Sequence, residues 1–292
     1  MNSYGSIKKI QTHTITDIFK DASLSLVHSL QHDIFSTTST KNNGSSSGTS
    51  GTTSTTLFLQ PDEQRAFLEW IDLLYWTLPP SPWKAPMIIH DIRTNVDFQN
   101  INQFEMVQIV TNHREAILDG TQNQWSQSCS ENQAGRGHVC GIWNLLHIVS
   151  IGIAERHGAV LGDQEKIVTA HAAQTIMDYM EYFITDDFFK EIFFQVSRND
   201  CGNKKPCTRF REDKNKVKYW HEPALWLWEI HNKIKIMSYK KEMTKEGTGM
   251  SKEEEDKLIW PSQDDCPKCR KKGKSIEWDE DELYSFLKSK YW

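Results

Sequence analysis

The chain has 292 residues, a formal net charge of −5 and 38% hydrophobic residues. This length suffices for one large domain or two small ones with a sizeable core. The mild negative charge argues against a dedicated nucleic-acid binder. No apolar run in the sequence reaches the length of a membrane span, so we expect no membrane span in this chain.

The first residues, MNSYGSIKKIQTHT, lack the apolar stretch of a secretory signal peptide. We therefore expect either a cytosolic protein or a chain whose true N-terminus is missing. Six cysteines fall in three local pairs, Cys129 with Cys140, Cys201 with Cys207 and Cys266 with Cys269. Three short-loop disulfides in an oxidising compartment would explain this pattern, and six free thiols are the alternative.

The first half predicts a helix-rich region. A helix is expected over 16–30 with Thr16 as its N-cap. A Ser/Thr/Gly-rich insert at 36–56 cannot bury a core, and we predict that it is a disordered loop. Further helices are expected over 63–78, where three prolines follow, and around 103–116.

The second half predicts a buried helix over 141–156 and an amphipathic helix over 166–184. Pro223 opens another helix at its first turn, where proline is tolerated. A charged linker over 240–257 and a short final helix over 279–290 follow. Strand signals are sparse, so the predicted fold is predominantly helical.

One helical face carries side chains that suit a ligand better than a core. Trp228, His231, Asn232 and Lys235 lie at i, i+3, i+4 and i+7 and therefore project together. Such a face can form the wall of a site for a flat, phosphate-bearing ligand. The alternative is a core tryptophan beside solvated polar residues. Trp143 and His147 repeat the pattern at i and i+4, and two such faces favour a shared ligand.

The motif CPKC, Cys266 to Cys269, has three interpretations. Half of a zinc site would need two further ligands, and the other cysteine pairs lack the required spacing, so no metal site is predicted. A redox-active pair is the second interpretation. A structural staple of the C-terminus is the third and is favoured.

Three blocks then show a family resemblance: RGHVCGIWNLLH, ALWLWEIHNKIKI and KLIWPSQDDCPKC. In this order they resemble the C-terminal half of quiescin sulfhydryl oxidases, which carries an Erv/ALR-type flavin domain. The resemblance implies an all-α helical bundle that holds FAD over residues 126–292. A smaller helix-rich region over 1–125 would precede it. The thioredoxin domain of the family has no counterpart in this sequence.

The resemblance also implies which residues contact the flavin, by matching positions in the family motifs. These are Arg136, Trp143, His147, Trp228, His231, Asn232, Lys257 and Trp260. Tryptophan would stack on ring systems, and the cations would meet the diphosphate. The last asparagine of one family motif is Lys235 here, which breaks the match at that position.

The redox cysteine pair that the family places next to the flavin is absent. Its two positions match Asp186 and Phe189, and a family histidine further along matches Ile192. Neither aspartate nor phenylalanine can relay two electrons, because the relay needs a thiolate and a disulfide. The sequence therefore leaves three functions open. The chain is an FAD-dependent thiol oxidase, a redox-inactive pseudo-oxidase that binds flavin or a protein partner, or a purely structural helical domain that has lost the flavin.

The resemblance also has implications for the cysteines, the substrates, the oligomeric state and the cellular location. All three cysteine pairs match structural disulfides of the family, with Cys266 and Cys269 as the remaining redox candidates. An active family member would take thiol-containing proteins and oxygen as substrates and release hydrogen peroxide. The resemblance further implies a monomer in the secretory pathway or outside the cell.

Overall fold

The computed structural model describes most of the chain. The described residues are 14–36, 57–80, 83, 85–97, 101–118, 124–130, 136–156, 169–197, 208–210, 220–245, 247–271 and 277–292. The insert from residue 37 to 56, both Cys201 and Cys207, and the side chain of Arg136 lie outside this description. The predictions made for them stay predictions.

The described residues form α-helices, as the sequence predicted. They are α1 (Ile15–His28), α2 (Pro61–Thr77), α3 (Ala85–Asn95), α4 (Gln103–Leu118), α5 (Gln127–Ser130), α6 (Arg136–Arg156), α7 (Thr169–Phe183), α8 (Asp187–Ser197), α9 (Glu222–Lys245), α10 (Lys252–Leu258) and α11 (Glu280–Tyr291). A π-helical turn, Ser29–Asp33, continues α1. Within the described ranges, β-pairing is limited to the isolated bridges Phe58–Asn102 and Arg270–Trp278.

Helix α6 lies at the centre of the bundle. Residues from Ile142 to Ile153 on all sides of this helix are almost fully buried, and a helix that is apolar all round must be enclosed by others. Helices α1, α2, α9 and α11 pack around it. Glu155 holds α11 in place, because its carboxylate accepts from the Tyr284 hydroxyl at 2.8 Å and from the Lys288 ammonium at 2.6 Å.

The same helix corrects one expectation from the sequence. By length and composition alone, Gly137–Arg156 is long and apolar enough to cross a membrane, although no such run was expected. In the structure 83% of its most apolar window is buried inside the protein. A buried core helix meets these criteria of length and composition as readily as a membrane span does. The finding is therefore weak evidence for a span.

Local capping explains where several helices begin. Thr14, not the predicted Thr16, caps α1, since its hydroxyl accepts from the Asp17 amide at 3.2 Å. Helix α2 begins at Pro61, earlier than predicted, because the Gln60 amide donates to the Glu63 carboxylate at 2.9 Å. Asp279 caps α11 through the Glu282 amide, at the predicted position.

Other boundaries also differ from the predictions. The segment over 240–257 is largely helical and not a linker: α9 runs to Lys245, and α10 starts after a capping box formed by Ser251 and Glu254. Helix α6 begins five residues before the predicted position 141. The acidic stretch between α7 and α8 is a helix break, where the Asp186 carboxylate caps α8 by accepting from the Phe189 amide at 2.9 Å.

Two of the predicted disulfides are present in the described residues. Cys129–Cys140 joins α5 to α6, and Cys266–Cys269 closes the turn after Pro261. Cys269 is fully buried and Cys266 nearly so. This burial agrees with a structural staple.

One hydrophobic core continues across the predicted boundary near residue 125. Core residues from α1 and α2 belong to the same cluster as those from α6, α7 and α9. The two regions approach closely at Gly152, where an added Cβ would lie 1.9 Å from the backbone oxygen of Thr77 in α2. The division into two regions stays a prediction, since the regions share this core.

We expect Gly152→Ala to destabilise the chain by about 1–3 kcal/mol, because the new methyl group would force α2 and α6 apart. This cost should exceed the better helix propensity of alanine. Gly249→Ala is the matched control, since a Cβ there would meet nothing within 4 Å. Denaturant unfolding of both variants measures the difference. An equal stability of the two variants would contradict the close approach of α2 and α6.

Candidate functional site

Aromatic side chains from four helices meet on one side of α6. We call Trp143, His147, Phe189, His231 and Tyr291 the ring cluster. Trp143 and His231 stack face to face, with ring centroids 4.1 Å apart and planes 3° from parallel. Tyr291 stacks on His147 at 4.6 Å, and the Phe189 ring meets Trp143 edge-on at 5.4 Å. The two predicted Trp/His faces, on α6 and α9, thus face each other.

The two histidines of the ring cluster are hydrogen-bonded to each other. His147 Nε2 and His231 Nδ1 lie 3.1 Å apart, so one ring donates and the other accepts. Burial lowers the pKa of His147 well below its ordinary value, and the neighbouring His231 adds to this effect. Burial also lowers the pKa of His231 to about 3, with a further contribution from the Lys235 charge. Both imidazoles are therefore neutral at pH 7.

A second group of predicted site residues anchors the chain after α10. The Trp228 indole donates to the Trp260 carbonyl at 2.5 Å. The Asn232 side chain donates to that carbonyl at 2.8 Å and accepts from the Trp260 amide at 2.8 Å. The Lys235 ammonium donates to the Leu258 carbonyl at 3.0 Å. These side chains fix the segment that carries Trp260.

Trp260 connects this anchor to the ring cluster. Its ring meets Tyr291 edge-on at 6.4 Å and Phe286 at 5.3 Å. The structure thus brings most of the predicted flavin contacts into one region: Trp143, His147, Trp228, His231, Asn232 and Trp260. Lys257 is exposed on α10, and the side chain of Arg136 is not described.

Two members of the ring cluster were not singled out as ligand-site residues from the sequence. Tyr291 lay just beyond the predicted end of the last helix at residue 290, yet Leu283, Leu287 and Tyr291 recur every four residues on its buried face. That spacing was the available signal. Phe189 was recognised only as the replacement of a cysteine. In the structure it is buried, and it packs directly on Trp143.

The positions of the absent cysteine pair have structural roles here. Asp186 is exposed and caps α8, while Phe189 contributes a buried ring to the cluster. Every cysteine in the described residues belongs to one of the two disulfides. The ring cluster itself therefore contains no thiol.

The types of side chain in this region suit a flat aromatic ligand that carries phosphates. Aromatic rings supply flat apolar surfaces, and Lys235 and Lys257 are cations on the two helices that precede the Trp260 segment. The polar atoms of Trp228 and Asn232 are already used by the Trp260 backbone. These two residues would therefore support an FAD site mainly by holding the Trp260 segment in place.

Known sulfhydryl oxidases from plants and animals are similar in sequence to part of this chain. Sulfhydryl oxidase 1 of Arabidopsis thaliana is 33% identical over 164 residues, which is 56% of this chain and 26% of that protein. The chain is homologous to sulfhydryl oxidases over about half of its length. Sulfhydryl oxidase 2 of Homo sapiens is 26% identical over 53% of this chain and 20% of its own length. The chain thus spans about a quarter or less of these relatives.

A solved structure supports the fold. The sulfhydryl oxidase fragment of human QSOX1 superimposes with a TM-score of 0.60 at 16% identity, covering 93% of each chain. At this identity the likeness shows the shared helical fold alone. No protein-family model matches the chain.

The neutral histidines predict a pH dependence of stability. A histidine whose pKa is lower in the folded chain takes up its proton preferentially when unfolded. The free energy of unfolding should therefore fall as the pH drops below about 6.5, the ordinary value, and continue to fall until about pH 3 for His231. Each histidine contributes at most about 1.4 kcal/mol per pH unit in that window.

We expect His231→Gln to reduce this slope by up to about 1.4 kcal/mol per pH unit between pH 6 and pH 4. His171→Gln makes the same chemical change at an exposed position and should leave the slope unchanged. Urea unfolding at several pH values gives both slopes. Parallel curves for wild type and His231→Gln would contradict a buried neutral His231.

Proposed function

We propose that the chain is an FAD-binding domain of the sulfhydryl oxidase type that turns thiols over weakly or not at all by itself. The observation that carries the proposal is the meeting of the α6 and α9 Trp/His faces in one ring cluster. The homology to sulfhydryl oxidases supports flavin as the ligand. FAD would supply a two-electron acceptor that oxygen can reoxidise.

Different residues would contact different parts of FAD. Rings of Trp143, His231 and Trp260 would supply stacking surfaces, and the Trp228–Asn232 anchor would keep Trp260 in place. Because His147 and His231 are neutral at pH 7, they offer hydrogen bonds and not positive charge. Lys235, Lys257 and Arg136 would therefore meet the diphosphate.

Electron entry is the step that this chain lacks. A substrate dithiol passes its two electrons on through a thiolate that attacks a disulfide, and both partners must be sulfur. The two matching positions are an exposed carboxylate, Asp186, and a buried phenyl ring, Phe189. A phenyl ring can exclude water from the ring cluster, but it cannot exchange with a thiol.

An active thiol oxidase is the second candidate, favoured by the sequence match to enzymes of that name. The balanced reaction would convert two protein thiols and one oxygen molecule to one disulfide and one hydrogen peroxide. The cysteines at 266 and 269, or at 201 and 207, would then have to supply the relay. Thiol-containing secretory or extracellular proteins are the proposed substrates, and a monomer is the proposed state.

Oxygen consumption with dithiothreitol separates the two candidates. We expect the FAD-loaded chain to show no uptake above that of a variant with all six cysteines replaced by serine, each corrected for its bound FAD. Uptake that clearly exceeds this variant would favour the active oxidase.

We further expect Asp186→Cys with Phe189→Cys to create dithiol-dependent oxygen uptake, because position 189 adjoins Trp143 in the ring cluster and position 186 lies one helical turn before it. Asp186→Ser with Phe189→Ser is the matched control, since it loses the same packing and contains no thiol. A flavin-loaded cysteine variant that behaves like the serine variant would contradict the assignment of these two positions.

A further inference from the structure

A cluster of two imidazoles and a carboxylate lies between α1, the π turn and α6. We call it the His28–Asp33–His138 cluster. His138 Nε2 is 2.9 Å from Asp33 Oδ2, and His28 Nδ1 is 3.6 Å from the same oxygen. One ligand atom from each residue lies within 4.8 Å of the other two. The Asp33 side chain is 3% exposed, so this carboxylate is held inside the protein.

The fold builds this cluster from distant residues. Residues five apart point away from each other in a regular α-helix. The π turn reduces that offset for His28 and Asp33, and its bond runs from the Ile34 amide to the Ser29 carbonyl at 3.1 Å. π turns often mark functional sites. His138 is positioned by Ser25 Oγ, which donates to its carbonyl at 2.8 Å.

The cluster leaves polar atoms unsatisfied. Among the described residues, the Nδ1 atoms of both His28 and His138 are buried without a hydrogen-bond partner. Buried polar atoms without a partner are rare in proteins and call for an explanation such as a bound ion or water. The ion pair with Asp33 explains the Nε2 contact of His138, whereas His28 Nδ1 lies 3.6 Å from the same oxygen, too far for a hydrogen bond.

We propose that His28, Asp33 and His138 bind a divalent metal ion of the Zn²⁺ class. Neutral imidazole and carboxylate are the ligands of such sites, and three protein ligands leave a fourth position open. His32 lies beside the cluster, with its ring centroid 4.8 Å from that of His28. The partly exposed His28, whose side chain is 42% exposed, gives the ion a path from solvent.

Metal binding would join three segments of the chain. Asp33 lies on the π turn, His138 on the first turn of α6, and Thr185 Oγ1 donates to Asp33 Oδ1 at 3.3 Å. Thr185 immediately precedes Asp186, the cap of α8. A bound ion would therefore fix the start of the helix that carries Phe189. The proposal does not depend on flavin binding.

Equilibrium dialysis against Zn²⁺ alone, with elemental analysis of the protein, tests the site. The chain should carry Cys201→Ser and Cys207→Ser, so that these thiols cannot bind the metal. We expect close to one Zn²⁺ per chain, an increase in Tm on loading, and visible absorption bands when Co²⁺ replaces Zn²⁺. His28→Gln should weaken Zn²⁺ binding at least about tenfold, and His138→Gln should do the same.

His113→Gln is the matched control, because His113 also contacts a carboxylate, that of Asp91, but belongs to no three-ligand cluster within the described residues. Its Zn²⁺ affinity should equal that of the parent chain. His28 is partly exposed, so His28→Gln is expected to remain folded, which circular dichroism verifies. Failure of the parent chain to bind Zn²⁺, or equal loss in His113→Gln and a folded His28→Gln, would overturn the proposal.

Discussion

The enclosure of helix α6 is the constraint on which the rest of the structure depends. Its residues are buried on all sides, and α1, α2, α9 and α11 pack around it. Gly152 meets the end of α2 where no larger residue fits. Because α6 also carries Trp143, His147 and His138, this enclosure builds both the ring cluster and the His28–Asp33–His138 cluster.

The Trp228 face serves two purposes that its spacing alone could not separate. His231 turns into the ring cluster and stacks on Trp143. Trp228 and Asn232 instead bind the backbone of Trp260 and hold the segment between α10 and the CPKC turn. Trp228 is thus a core residue, as the alternative interpretation predicted, but Asn232 is buried and not solvated. The ligand interpretation of this face stays a prediction. Flavin binding would use the ring of His231 directly, and it would rely on Trp228 and Asn232 to hold the Trp260 segment in place.

The sequence predicted the helices and most of the candidate site, because apolar periodicity and family motifs are local signals. It misplaced the start of α1, since Thr14 and Thr16 are equally plausible caps until the Asp17 amide is located. It gave Tyr291 no role in the ligand site, although the residue stacks on His147. It gave no sign of the His28–Asp33–His138 cluster, because a π turn and the packing of α1 on α6 bring those residues together.

A visible absorption spectrum of the purified chain, with flavin released and quantified, tests whether the ring cluster holds FAD. We expect a yellow protein with close to one FAD per chain, and a large loss of bound FAD in Trp143→Ala but not in Tyr239→Ala, an exposed aromatic on α9. A colourless protein that also fails to take up added FAD would contradict this expectation. The ring cluster would then be a packed core and not a cofactor site.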